Sequence, residues 1–248
     1  MMSKHKTALI TGAGRGIGTA IALEFASKGY DLVLNYHTSE KEAYALKERL
    51  VQEYGIEAIC IKADISVESE VQEMVTQAIQ TYGHIDVLVS NAGIAIDTLY
   101  EEKTVENFRR TIDVNLIGTF LVSKYVGDSM YEQKQGTIIN IASTNGIDEY
   151  FPMCLDYDAS KAGVISLTHN LALQYSPYIR VNAVAPGWVA TENEMKELDE
   201  DYIESEQEKI YLRRFGKPEE IAKVVSFLAS EDASFINNAI IRVDGGQR

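Results

Sequence analysis

Basic residues are scarce in this 248-residue chain: 23 Lys and Arg stand against 37 Asp and Glu, a net charge of −14. That balance argues against nucleic acid and against an anionic membrane surface as partners. No apolar run approaches the ~20 residues needed to span a bilayer. No secretory signal precedes Lys6, so a cytoplasmic protein is expected. Cysteine is nearly absent. Cys60 and Cys154 have neither metal-ligand nor redox spacing, so buried or idle thiols are expected and no metal site. Internal repeats and low-complexity linkers are also missing. What remains is an ordinary apolar content and a length that fits one large domain better than two small ones.

Short apolar runs alternate with amphipathic stretches along the whole chain. Lys6 to Thr11 reads as a strand entering the glycine-rich turn Gly12-Ala13-Gly14-Arg15-Gly16-Ile17-Gly18. Ile17, Ile21, Ala22 and Phe25 then recur at helical spacing as far as Gly29. Further strands are expected at Asp31 to Asn35, Ala58 to Ile61, Asp86 to Ser90, around Ile138, at Ile179 to Val184 and at Ala239 to Val243. Helices are expected at Glu40 to Tyr54, Val67 to Tyr82, Phe108 to Glu132, around Tyr157 as far as Tyr175, and Pro218 to Ser230. This alternation implies right-handed crossovers and an α/β fold, a doubly wound parallel sheet of about seven strands with helices on both faces. The acidic tract Glu192 to Lys209 breaks the composition, and we expect a substrate lid over about residues 188 to 212, with a solvated pair of surface helices as the alternative.

Candidate chemical groups cluster at the expected carboxyl ends of strands, where ligands of open α/β sheets bind. A glycine turn between strand and helix lets backbone N–H groups approach a diphosphate at a helix N-terminus. Tyr157 and Lys161 are four residues apart, so on a helix they share one face. A cation there favours phenolate over phenol and draws a tyrosine down from about 10, into the range of proton exchange with a substrate oxygen. Ser143 offers a hydroxyl where the Ile138 strand gives way to loop.

With those residues in place, the chain resembles the short-chain dehydrogenase/reductase family over nearly its whole length. The matching residues are Thr11 to Gly18, Asn91-Ala92-Gly93, Asn115, Ser143, Tyr157 with Lys161, and Pro186-Gly187 with Thr191. The resemblance implies a Rossmann-like fold and hydride transfer between a nicotinamide cofactor and a carbonyl or secondary alcohol. It makes Tyr157 the acid/base, Ser143 the holder of the carbonyl, and Lys161 the ligand of the nicotinamide ribose. It gives Asn115 a water that passes protons to Lys161. It sets Gly12, Gly14, Arg15, Gly16, Ile17 and Gly18 at the cofactor, Asp64 and Ile65 beside the adenine, and Asn91, Ala92, Gly93 and Ile94 by the adenosine ribose. Pro186, Gly187, Val189 and Thr191 fall on the nicotinamide side. A homotetramer through the Asn115 and Tyr157 helices and the last strand is implied as well, although Phe235-Ile236-Asn237-Asn238 departs from the family's turn before that strand.

NAD-preferring relatives place a carboxylate at the end of the second strand. Here the segment is Asn35-Tyr36-His37-Thr38-Ser39, without one. Arg15, His37, Thr38 and Ser39 are expected to meet a 2′-phosphate, which favours NADP(H) over NAD(H). In general appearance the chain is nearest to the 3-oxoacyl-[acyl-carrier-protein] reductases. Those enzymes present basic residues to an acidic carrier protein at places where this chain has Asp128 and Pro177. Its own negative charge opposes such an encounter too. The expected substrate is therefore a small free carbonyl compound: keto, sugar-like or steroid-like. Asn145 and Tyr150 join Ser143 and Tyr157 as candidate substrate contacts, beside a loop that mixes aromatics with carboxylates and suits a polar or cationic ligand. Carrier-protein thioester reduction is the alternative, and a non-catalytic nucleotide sensor the remote one.

Overall fold

The computed structural model describes residues 5–247. In chain order its elements are β1 (Thr7–Ile10), α1 (Gly16–Ser27), β2 (Asp31–Tyr36), α2 (Glu40–Tyr54), β3 (Ala58–Lys62), α3 (Glu68–Tyr82), β4 (Val87–Ser90), α4 (Val105–Ile112), α5 (Thr119–Gln133), β5 (Gly136–Ile141), α6 (Leu155–Gln174), β6 (Ile179–Pro186), α7 (Glu192–Glu197), α8 (Glu200–Glu208), α9 (Pro218–Ala229) and β7 (Ile240–Val243). The strands form one parallel sheet in the order β3-β2-β1-β4-β5-β6-β7. The order reverses between β1 and β4, so their carboxyl ends open a crevice there.

Both faces of the sheet are covered, which is why β1, β2 and β4 are buried at every position and mainly apolar rather than alternating. On one face Ile21 and Phe25 of α1, Leu46 and Leu50 of α2, and Ile221, Val225 and Leu228 of α9 pack together. On the other, Met74 and Tyr82 of α3, Val122, Val126 and Met130 of α5, and Leu171 of α6 form the second core. Among the described residues no helix is long and apolar enough to cross a membrane.

The helical tract expected from Phe108 starts earlier and is broken. Thr104 caps α4 by accepting the Asn107 N–H at 3.1 Å. Between α4 and α5 the chain makes a π-helical turn, Asp113–Gly118, which carries Asn115. Such bulges mark functional sites in many proteins. The acidic tract is two helices, α7 and α8. Near the C-terminus the Asn-Asn turn has a physical account: Asn237 Oδ1 accepts the Val181 N–H at 2.8 Å and the Asn238 N–H donates to the Val181 carbonyl at 2.9 Å. Asn238 has φ +64°, a left-handed conformation that Asn tolerates better than most residues.

Candidate active site

Tyr157 lies in the first turn of α6 and Lys161 one turn later. The Lys161 Nζ sits 5.5 Å from the centre of the Tyr157 ring, so the two share the expected face. Lys161 is only 4 % exposed and donates to the Ile141 carbonyl at 2.7 Å, a strand-end oxygen that fixes its reach. Burial pushes its ammonium down to about 8. It therefore remains largely cationic at neutral pH. Ser143, just past β5, lines the same cavity and also caps the short turn Thr144–Gly146, its Oγ accepting the Asn145 N–H at 3.2 Å.

Asn115 stands behind this pair and is fully buried. Its Oδ1 accepts the Ile94 N–H and its Nδ2 donates to the Ile94 carbonyl, both at 2.8 Å. A second donation from Nδ2 reaches Ser160 Oγ at 3.0 Å. The π-helical turn thus points an amide at the loop after β4 and pins it. Both donors are committed to protein groups, and only spare acceptor capacity on Oδ1 is left for a water.

The crevice at the sheet reversal is lined by Gly12, Arg15, Ile17, Gly18, His37, Thr38, Ser39, Asp64, Ile65, Asn91, Ala92, Gly93 and Thr191. These are the expected cofactor residues, save Gly14 and Gly16, which shape the turn beside it, and Tyr157, Lys161, Pro186, Gly187 and Val189, which line the neighbouring cavity. The turn suits a diphosphate. A Cβ on Gly18 would lie 2.3 Å from the Gly12 carbonyl, so only glycine allows this close passage. The first turn of α1 has no side-chain cap and no acidic residue, so its N–H groups and dipole are available to an anion. Asn91 Nδ2 holds the turn in place by donating to the Thr11 and Gly12 carbonyls. The donor set therefore fits a dinucleotide.

Three features of this crevice were not visible in the sequence pattern. Arg110 of α4 lines it, donating to Asp64 Oδ2 and Ser66 Oγ, each at 2.9 Å. Burial alone would raise the Asp64 carboxyl, but hydrogen bonds from Ser66 and Arg110 outweigh it and hold the group below its usual range. His37 Nε2 lies 3.8 Å from the same carboxylate. Asn35 is occupied structurally, accepting from Gly12 N and donating to the Ala63 carbonyl.

The cavity beside Tyr157 and Lys161 has a volume of about 670 Å³. Asn145 and Tyr150 line it as expected, Tyr150 at the mouth with 80 % of its surface exposed. Sequence reasoning missed Asp97 and Gln247 on its walls, and it placed Trp188, Glu206 and Lys209 in the expected lid without naming them individually. Trp188 was findable: it is the sole tryptophan and follows Pro186-Gly187 directly. Its ring stacks on Phe215 at 5.5 Å and meets Tyr202 of α8 edge-on at 6.2 Å. Glu206 of α8 turns inward, 8 % exposed, paired with Lys209 at 2.5 Å.

Comparison with known proteins agrees with this geometry. Residues 12–248 match the family described as Enoyl-(Acyl carrier protein) reductase. Glucose 1-dehydrogenase 2 of Bacillus subtilis is 37 % identical over 97 % of this chain and 94 % of its own length. The 3-oxoacyl-[acyl-carrier-protein] reductase of Staphylococcus epidermidis is 40 % identical over 98 % of both chains. The chain belongs to the short-chain dehydrogenase/reductase family. The crystal structure of levodione reductase superposes with a TM-score of 0.89 at 36 % identity, covering 97 % of this chain and 96 % of that one. As a short-chain dehydrogenase/reductase, the chain is an NAD(P)-dependent oxidoreductase whose reaction is hydride transfer between nicotinamide and a carbonyl or secondary alcohol.

Proposed function

We propose that this enzyme interconverts a small, free, polar carbonyl compound and its secondary alcohol with NADP(H), and that Tyr157, Ser143, Lys161 and Asn115 carry the reaction. The observation that supports this most strongly is a buried ammonium 5.5 Å from the Tyr157 ring, on the wall of a cavity of suitable size. In the reducing direction Tyr157 gives its proton to the carbonyl oxygen, the Lys161 charge stabilises the phenolate left behind, and Ser143 orients that oxygen. The nicotinamide supplies the hydride when bound. Asn115 keeps the loop after β4 in register with α6. The α7–α8 segment acts as a lid, placing Tyr202, Glu206 and Lys209 on the substrate.

Preference for NADP(H) is supported by Arg15, Thr38 and Ser39 at the crevice and by the lack of a carboxylate at the end of β2. Asp97, Glu149 and Glu206 on the cavity walls suit a hydroxylated substrate, since carboxylates accept hydrogen bonds from hydroxyl groups. Glucose 1-dehydrogenase 2, among the relatives, is consistent with that choice. The similarity to a carrier-protein reductase favours the second reading, an acyl carrier protein thioester. Against it, Asp128 on α5 is paired with Lys124 on an exposed surface, and the chain carries a net charge of −14. Assembly as a homotetramer in the cytoplasm completes the proposal.

The test is NADPH and NADH oxidation against diketones, ketoesters and sugar-derived ketones, with acyl carrier protein thioesters in parallel. Turnover of free ketones with NADPH is expected. Efficient saturation on the thioesters alone would overturn the substrate assignment.

A further inference from the structure

Asp158 follows Tyr157 directly and takes part in none of the steps above. Its two carboxylate oxygens each meet one donor. Oδ1 accepts from Asn145 Nδ2 at 2.7 Å and Oδ2 accepts from the Phe151 N–H at 3.2 Å. Asn145 in turn meets Ser143: the Ser143 Oγ–H donates to Asn145 Oδ1 at 3.2 Å, and the same Oγ accepts the Asn145 backbone N–H. Ser143, Asn145 and Phe151 all line the catalytic cavity.

The direction of this chain of hydrogen bonds is fixed from one end. Burial raises the Asp158 carboxyl above its ordinary range, while the donors Asn145 Nδ2 and Phe151 N–H favour its ionised form. As a carboxylate Asp158 only accepts, and so compels Asn145 to turn its NH2 towards it. That leaves Asn145 Oδ1 facing Ser143, and an amide oxygen also only accepts. The Ser143 proton must therefore point at Asn145 and not into the cavity. A ground-state carbonyl, a modest acceptor, competes with Asn145 for it. As hydride arrives and negative charge grows on the substrate oxygen, that oxygen becomes the better acceptor and takes the proton. An interaction made in the transition state and not in the ground state raises kcat without tightening substrate binding.

We infer that Asp158 is a positioning residue that acts through Asn145 to hold the Ser143 proton in reserve for the transition state. The inference rests on Ser143 as the holder of the substrate oxygen.

Asp158→Asn tests it with a definite sign. The new amide has a single acceptor, which the Phe151 N–H claims, so its NH2 faces Asn145. Asn145 then flips, presents its own NH2 to Ser143 Oγ, and frees the Ser143 proton for the cavity. With the fastest free ketone of the substrate panel, KM should fall about three- to tenfold, the scale of one neutral hydrogen bond, while kcat does not rise. A variant whose role was only structural would lose kcat, raise KM or lose stability. An unchanged or higher KM in a folded Asp158→Asn enzyme overturns the inference. Ser143→Ala separates the two levels: if it keeps near-parental activity, the assignment of Ser143 fails and the inference with it. If it is inactive while Asp158→Asn leaves KM unmoved, only the inference fails. Neutron diffraction of the deuterated parent enzyme gives a readout that needs no substrate. Deuterium on the Ser143–Asn145 line is expected, and deuterium directed into the cavity overturns the inference.

Discussion

In the proposed mechanism Lys161 bears the charge on which Tyr157 depends, and its burial gives that charge a pH limit. The group is pushed down to about 8 from 10.5 because its ammonium is desolvated. Ketone reduction is therefore expected to decline above about pH 8, and this limb should vanish from the residual activity of Lys161→Met, read from initial rates across pH 6–10. Stability has the opposite sign. Between pH 8 and 10.5 the unfolded chain holds the proton that the native cofactor-free protein has released. Native stability relative to Lys161→Met should rise across that window, by up to about 3 kcal/mol in urea unfolding. A difference that stays flat with pH would contradict the burial argument. Arg15 offers a second test at this scale: Arg15→Ala should weaken NADPH binding about tenfold and leave NADH binding within twofold, measured by nucleotide fluorescence.

The start of α6 is held by a buried ion pair. Lys103 and Asp156 have side chains 5 % and 0 % exposed and meet at 2.9 Å. Thr111 Oγ1 donates to the other Asp156 oxygen at 2.7 Å, and Lys103 also donates to the Ile96 carbonyl. These contacts tie the loop after β4 to the turn carrying Tyr157. Lys103→Met leaves a carboxylate buried without its cation, and unfolding stability should drop by about 3–5 kcal/mol; a loss under 1 kcal/mol would contradict this. The glycine turn is equally constrained. Gly18→Ala brings a Cβ within 2.3 Å of the Gly12 carbonyl and 2.8 Å of Asn91 Nδ2, so the turn must shift and NADPH Kd should rise at least about tenfold.

Much of this was readable in the chain. The glycine turn, Tyr157 with Lys161, and Ser143 at a strand end each depend on neighbours within a few residues, so spacing reveals them. Asn115 was readable as a residue, but its π-helical setting was not, because the bulge answers to Ile94 and Ser160 far along the chain. Arg110 and Glu206 escaped notice for the same reason. Arg110 finds Asp64 across 46 residues. Glu206 falls within the expected lid, but nothing in its acidic pattern singles it out; the packing of Tyr202 on Trp188 turns that helix inwards. The Asp158 chain was hidden as well, since it needs the loop through Asn145 and Phe151 to fold back on α6.

At the scale of the whole molecule, one parallel sheet brings two cavities to its carboxyl edge: a glycine-lined crevice at the reversal between β1 and β4, and the Tyr157 chamber, walled in part by Trp188 and by Tyr202 and Glu206 of α8. Net charge governs who approaches that edge. With −14 charges on the chain, association with an acidic carrier protein should be slow and should quicken as salt is added, whereas uncharged ketones should show no salt dependence. The central claim is that the Tyr157 phenol, supported by Lys161, is the proton donor of a nicotinamide-dependent hydride transfer. Its most direct test is ketone-dependent NADPH oxidation by Tyr157→Phe, with NADPH binding followed in the same sample. The account predicts a loss in kcat of about 10²- to 10⁴-fold with NADPH affinity within threefold of the parent. Turnover within tenfold of the parent would contradict it.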